Sequence, residues 1–280
     1  MLLGLLQNDA RLLPCRLAQL RDLIQPHLDG PPDAVGAGYI ENGEALVRRR
    51  PGTAPALASD LLELVNDVRA TGLIVHARQA TVGGFKDENT HPFRYRNWLF
   101  AHGGTVARFG DLRPALMDGL PSFLQRMIGG ETDSEHVFAL FLDELHRAGV
   151  LETVDPAAHS LGRALAATVE RVEVLTRSVG ETGPSPLNIV ATNGRAMVAC
   201  RHGNGPDLKY AVMGGLGQCP LHSLTEESAE THAQRLPHHN MRSVVVASRL
   251  KPGSEPSWEE IPKDHVLVVA PDLTTSLIES

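Results

Sequence analysis

The sequence predicts an α+β fold, antiparallel sheets with helices packed on them. Strand-like runs come first, long helical runs follow, and strand-like runs return, with few β-α-β crossovers. Two Asn-Gly pairs, Asn42-Gly43 and Asn193-Gly194, sit between apolar runs, and Asn-Gly is the strongest short-range hairpin signal. Between the two hairpins, stretches such as 156–179 carry apolar residues at helical spacing.

The elements follow in order. Leu2 to Leu6 is a short apolar run, read as a buried strand. Cys15 to Leu28 has helical spacing, with Leu17, Leu20, Leu23 and Ile24 on one face. Gly30-Pro31-Pro32-Asp33 breaks the chain, and Val35–Ile40 with Ala45–Arg49 form the first hairpin. Pro55 to Ala70 reads as a helix, its inner face Leu57, Leu61, Leu64, Val65 and Val68, stopped by Gly72. Leu73–His76 and Trp98–His102 are β-rich, and the polar stretch from Gly83 to Arg96 between them reads as a surface loop. Thr132 to Ala148 is a helix opened by the capping chemistry of Thr132-Asp133-Ser134-Glu135. Pro156 to Val179 is another, with Leu161, Leu165, Val169, Val172 and Leu175 as its stripe. The second hairpin joins Leu187–Thr192 to Ala196–Arg201, and Leu208–Met213, Ser243–Ser248 and Val266–Ala270 add three strands. Gly214 to Asn240 is loop-like and holds four of the thirteen histidines.

The chain has 280 residues, 42% of them hydrophobic, enough for a substantial core. The Pro-rich break near residue 184 does not read as a linker, so residues 1–280 are read as one domain. A net charge of -7 argues against a nucleic-acid partner, and Arg48-Arg49-Arg50 reads as a solvated strand end. Cys15, Cys200 and Cys219 lie far apart without a CxxC spacing, so neither a disulfide framework nor a zinc site is expected. The N-terminus lacks the basic start of a signal peptide, and no stretch approaches the ~18 apolar residues of a membrane span. A cytoplasmic protein with no membrane partner is expected.

The dense cluster of polar groups lies at strand ends between residues 73 and 104. An arginine there, Arg78, can clamp a carboxylate with two parallel hydrogen bonds. The Gly103-Gly104 pair can turn backbone N–H groups toward a developing oxyanion. Asp133, at a helix start, can hold an ammonium group. Taken singly, each has a plainer reading: an ion-paired arginine, a turn, a helix cap.

The ordered set is more specific. His76-x-Arg78-x-Ala80-Thr81-x-Gly83, Asn89-x-His91-Pro92-Phe93, Phe100-Ala101-His102-x-Gly104 and Gly130-x-Thr132-Asp133-Ser134-Glu135 follow one another. This series resembles the glutaminase domain of class II, N-terminal-nucleophile glutamine amidotransferases. It is similar to the stand-alone branch that includes the ergothioneine-pathway γ-glutamyl hydrolase and the yeast glutathione-degradation subunit. It continues through Leu187-Asn188 to Arg201, Val244 to Ser248 and Trp258 to Pro262, nearly the whole chain. The resemblance implies a four-layer αββα sandwich of two antiparallel sheets. It implies that Arg78 pairs with the α-carboxylate of a glutamine or γ-glutamyl ligand and Asp133 with its α-amino group. Thr81, His91 and His102 join them as substrate-binding candidates, and Gly104 supplies an oxyanion-hole N–H. No cofactor is implied.

The pattern breaks at the catalytic centre. The family begins Met-Cys-Arg-Leu-Leu-Gly; after the methionine is removed, the cysteine is both nucleophile and, through its α-amino group, base. Here Met1-Leu2-Leu3-Gly4 stands, so Met1 and Leu2 occupy the position and no nucleophile is assigned. Pro14-Cys15-Arg16-Leu17 echoes the family start, yet cutting there discards the strand at Leu2–Leu6. The family's His-Asn-Gly is His102-Gly103-Gly104, and losing one oxyanion-hole donor costs about 10²–10³ in turnover. Asp33-Ala34-Val35-Gly36 replaces Asp-Gly-Trp-Gly, and Arg249 stands where glutamate is frequent.

The expectation is a protein that has lost glutaminase activity and binds an amino-acid or γ-glutamyl ligand, a partner enzyme or a second copy of itself. Two others compete with it. One is an active amidohydrolase whose native start carries an upstream cysteine; the other is an interaction protein without a pocket function. Metal binding by His76, His91 and His102, or by His238-His239, is not expected.

Overall fold

In chain order the strands are β1 Leu2–Gln7, β2 Ala34–Glu41, β3 Glu44–Pro51, β4 Gly72–Arg78, β5 Phe93–Tyr95, β6 Trp98–Gly104, β7 Leu187–Thr192, β8 Met197–His202, β9 Leu208–Met213, β10 Ser243–Ser248, β11 Glu259–Glu260, β12 His265–Val269 and β13 Thr275–Glu279. The helices are α1 Leu13–Leu20, α2 Phe109–Asp118, α3 Ser122–Gln125, α4 Asp133–Arg147 and α5 Ala158–Ser178. The computed structural model describes residues 1–21, 32–52, 64–78, 84, 86–217, 219–222, 237–250 and 258–280.

The strands form two sheets, a seven-stranded one in the order β11-β9-β10-β1-β4-β2-β3 and a six-stranded one in the order β13-β12-β8-β7-β6-β5. Every neighbouring pair is antiparallel. β1 lies inside the first sheet, pairing Leu3 with Ala247 of β10 and with Val75 of β4. The late strands therefore complete the sheet that the first strand begins.

Side-chain alternation sorts the layers. Leu2 and Leu6 face the second sheet, where they join Leu99, Val190, Ala199 and Leu267 in one core. Leu3 and Leu5 point the other way, onto Leu13, Leu17 and Leu20 of α1. On the second sheet Val190 faces inward, while Ile189 and Ala191 meet Phe138, Leu142 and Leu165 from the α4–α5 layer. The result is helix, sheet, sheet, helix, the four-layer arrangement expected. Gly4 makes the close approach of the sheets possible, since a Cβ there would lie 2.6 Å from Val190 Cγ1.

Both hairpins stand where the Asn-Gly pairs placed them, with Asn42, Gly43 and Gly194 at positive φ. α4 begins as read, with Thr132 Oγ1 accepting from Glu135 N at 3.3 Å. α5 keeps its stripe buried except Leu175 at its edge. Of the helix expected at 15–28, the described part is α1. Of that expected at 55–70, residues 55–63 lie outside the described residues; Leu64, Val65 and Val68 are buried, but 66–70 is turn and irregular chain, so no helix runs to Ala70.

The expectation of a surface loop from Gly83 to Arg96 is overturned. Asn89, Thr90 and His91 are buried, and Phe93–Tyr95 is an edge strand on β6. The polar composition misled because Asn89 and Thr90 are satisfied internally: Asn89 Oδ1 accepts from Glu131 N at 2.9 Å, its amide donates to Gly84 O at 3.1 Å, and Thr90 Oγ1 donates to Lys86 O at 2.9 Å. Gly36 lets this segment lie on the first sheet, because a Cβ there would fall 2.1 Å from His91 O. The solvated reading of the arginine run holds for Arg50, which is exposed, and is corrected for Arg48 and Arg49. Arg49 donates to Pro92 O at 2.6 Å and Arg48 to Leu64 O at 2.8 Å, so both tie loops to β3.

Candidate functional site

One end of the sandwich opens into a cavity of about 360 Å³. Its wall is built from element ends: the start of β1 (Met1, Leu2), the end of β4 (His76, Ala77, Arg78), the end of β6 (His102, Gly103, Gly104), the start of α4 (Asp133, Ser134) and the end of β10 (Ser248, with Arg249). Of the residues expected to form a site, Arg78, His91, His102, Gly103, Gly104 and Asp133 line this one cavity together with Met1 and Leu2. Thr81 lies outside the described residues.

Arg78 is buried at 5% exposure, and its Nη1 reaches Gly84 O at 3.4 Å. A guanidinium at the end of a central strand has its reach fixed by the sheet.

Asp133 has a double setting. Its Oδ2 accepts from Val106 N at 2.8 Å, which fastens the loop after β6 to α4. Its Oδ1 accepts from Ser134 N at 2.8 Å, as expected of an acid in the first helical turn. The carboxylate is thus braced by backbone donors, with the Ser134 hydroxyl also 3.3 Å from Oδ1, and still faces the cavity.

The three histidines differ. His102 is held through both ring nitrogens, Nδ1 against Ser134 Oγ at 2.9 Å and Nε2 against Pro186 O at 3.3 Å. A carbonyl can only accept, so Nε2 carries the proton and Nδ1 accepts from the serine. Burial pulls the His102 pKa down and the neighbouring Asp133 pulls it partly back. His102 is therefore a wall residue that orients its neighbours. His91 is only 4% exposed, and neither ring nitrogen has a hydrogen-bond partner among the described residues. Its ring stands 4.3 Å from that of His76, centroid to centroid. Burial, then the mutual proximity of the histidines and Arg78, holds both His76 and His91 well below the usual range, so both are neutral.

Gly103 and Gly104 close the wall beside β7. Gly104 has φ +150, and a Cβ there would meet Pro186 O at 1.8 Å. At Gly103 the nearest atom to an added Cβ is Asn188 O at 4.0 Å, so this position has room for a side chain. Asn188, which sequence reading did not single out, lines the cavity. Its amide donates to Pro206 O at 2.7 Å, and its buried Oδ1 has no partner among the described residues. Its pairing opposite Gly103 was the signal available, but only the β6–β7 register reveals it.

Met1 lies at the mouth of β1. Its α-amino group donates to Ala77 O at 2.8 Å, and burial, with Arg249 nearby, pushes the amine down to about 5. Leu2 N donates to Ser248 Oγ at 3.0 Å. The three cysteines, Cys15, Cys200 and Cys219, are all absent from the cavity wall.

A family model described as class-II glutamine amidotransferases matches residues 9–277. The chain is 25% identical over 217 residues to a probable glutamine amidotransferase of Saccharomyces cerevisiae, covering 75% of this chain and 60% of that protein. It is 30% identical over 169 residues to the isomerizing glutamine–fructose-6-phosphate aminotransferase of Aquifex aeolicus, covering 60% of this chain and 27% of that protein. The chain thus spans less than two thirds of the length of either relative. A glutamine aminotransferase class-II domain protein from Silicibacter pomeroyi has a solved structure similar to this one, with a TM-score of 0.62 at 21% identity over 100% of this chain and 98% of that one. That likeness is one of fold.

Proposed function

The chain belongs to the class II glutamine amidotransferases, and from that membership we propose that its cavity binds glutamine or a γ-glutamyl compound without hydrolysing it. One observation carries the reading: Arg78 and Asp133 line a single cavity that has no thiol among its lining residues. An α-amino acid offers a carboxylate and an ammonium group on one carbon, and a buried guanidinium with a backbone-braced carboxylate is the matching pair.

Turnover needs an activated nucleophile and donors for the oxyanion. Of the four described hydroxyl residues on the wall, Ser134 meets His102, Ser248 accepts from Leu2 N and Thr132 accepts from Glu135 N, with Thr105 the fourth. Gly103 contributes no side-chain donor.

Purified protein is expected to release no ammonia from glutamine and no glutamate from a γ-glutamyl dipeptide. Its melting temperature is expected to rise with L-glutamine or L-glutamate, by the equivalent of about 2.7 kcal/mol at a hundredfold excess over Kd. Arg78→Ala should abolish that rise. Ammonia release that co-purifies with the chain would overturn the absence of turnover, and an unmoved melting temperature would overturn the ligand.

A further inference from the structure

Four side chains that the cavity does not use meet at the opposite end of the first sheet. They are Cys15 on α1, Cys219 and His222 in the connection after β9, and His238 in the helical turn at 237–240 before β10. The cavity takes its wall from the start of β1 and the end of β10, whereas this cluster lies beyond the end of β1 and before the start of β10. A six-residue strand separates the two regions, about 20 Å.

From this geometry we infer that Cys15, Cys219, His222 and His238 form a Cys2His2 zinc site. Their ligand atoms all lie within 4.8 Å of one another. Cys15 Sγ is 3.5 Å from His222 Nδ1 and 3.5 Å from His238 Nε2, and Cys219 Sγ is 3.2 Å from His222 Nδ1. Tetrahedral zinc, with bonds of about 2.3 Å to sulfur and about 2.0–2.1 Å to nitrogen, puts its ligands about 3.4–3.8 Å apart along the tetrahedron's edges. The three distances fall at or close to those edges, so a metal ion needs only a small adjustment to sit at the centre.

The scaffold is built for it. Cys219 and His222 are joined in a tight turn, His222 N donating to Cys219 O at 3.3 Å, which supplies two ligands from one Cys-x-x-His knuckle. This spacing does for cysteine and histidine what CxxC does for two cysteines, so a search confined to CxxC passes over it. Arg16 Nη2 donates to Gly214 O at 2.5 Å, binding the connection to α1. Leu216 N donates to His238 O at 2.8 Å, binding it to the turn before β10. Leu12, Leu216 and Met241 pack around Cys15 and Cys219. Such an apolar shell limits solvent access to a metal. His222 is exposed and leaves a route of entry.

Two thiolates and two imidazoles form a borderline-soft, tetrahedral set, which suits zinc over magnesium or calcium. Loading it displaces one proton from each thiol. Four protein ligands leave no open position, so the ion is structural: it staples α1 to the β9–β10 connection.

The test is titration of the reduced full-length chain with cobalt(II) under anaerobic conditions. One equivalent should bind with thiolate-to-cobalt charge-transfer absorption and the strong visible bands of tetrahedral cobalt, and one equivalent of zinc should displace it. Cys219→Ser should cut the charge-transfer intensity to about half, since one of two thiolates is gone. His222→Gln alters an exposed side chain and keeps the fold testable if the cysteine variant is unstable; it should weaken cobalt at least about tenfold. Weak octahedral spectra, variants that bind cobalt as the parent does, or a Cys15–Cys219 disulfide in the freshly purified chain would each overturn the site.

Discussion

Gly103 and Gly104 are neighbours of the same type, yet the structure asks different things of them. Gly104 combines φ +150 with a carbonyl 1.8 Å from where a Cβ would stand, so only glycine fits. Gly104→Ala is expected to cost at least about 2 kcal/mol in urea unfolding, from strain and a displaced Pro186 carbonyl. Gly103 has an open side, and Gly103→Asn should change stability by less than about 1 kcal/mol. If both substitutions cost the same, the distinction fails. Sequence showed the pair as an oxyanion-hole remnant but could not separate the two roles, because φ and the β6–β7 contact are not in the letters. The same holds for the histidines. His102 and His91 look alike as strand-end and loop residues, and only the placement of Ser134 and Pro186 shows that the first is fully bonded while the second is not.

At the scale of elements, the legible ones were those with strong local chemistry. α4 has a Thr132 cap and acids in its first turn, and α5 has an apolar stripe over most of its length. The missed ones lack such chemistry. α2 carries Pro114 inside it and begins at Arg108 with φ 53 and no side-chain cap, so its pattern is broken at both the start and the middle. β13 is an edge strand with no buried residue, and no alternation marks it. α4 and α5 are joined by a feature that sequence spacing does not reveal. Arg171 Nη1 bonds Asp143 Oδ2 at 2.5 Å and Glu144 Oε1 at 3.1 Å, and its Nη2 bonds Gly119 O at 2.8 Å. Asp143 is nearly fully buried and also takes Arg147 at 3.0 Å. Asp143→Ala should destabilise the chain by about 1–3 kcal/mol, with Asp143→Asn recovering part of it. Unchanged denaturant midpoints would show that the pair contributes nothing to α4–α5 docking.

At the scale of the whole molecule, the buried histidines set a pH dependence. His76, His91, His102 and His136 all have pKa values below 6.5, chiefly from burial. The folded state therefore binds fewer protons than the unfolded state below about pH 6.5, and stability falls as pH is lowered through that window. The loss is at most about 1.4 kcal/mol per pH unit for each histidine that stays neutral in the fold. The Met1 α-amino group, pushed down to about 5, acts in the same sense as the histidines, and Glu135, raised by burial, acts in the opposite sense just above its ordinary range, one group against five. Denaturant unfolding followed from about pH 7.5 to about pH 5.5 should show a steady decline, and a flat or rising profile would contradict it. None of the described helices is long and apolar enough to cross a membrane.

By itself the sequence determined the α+β class, the two hairpins, the long helices, the family and a set of polar residues that share one cavity. These rest on local or ordered signals: Asn-Gly turns, caps, apolar periodicity and motif order. Tertiary structure alone decided which polar groups are spent holding the protein together and which still face the cavity. It also buried the segment around Asn89–His91, and it brought Cys15 beside Cys219, His222 and His238. The reason is that hydrogen-bond satisfaction and ligand geometry depend on residues far apart in the chain, and no local pattern records where a distant carbonyl or thiol comes to rest.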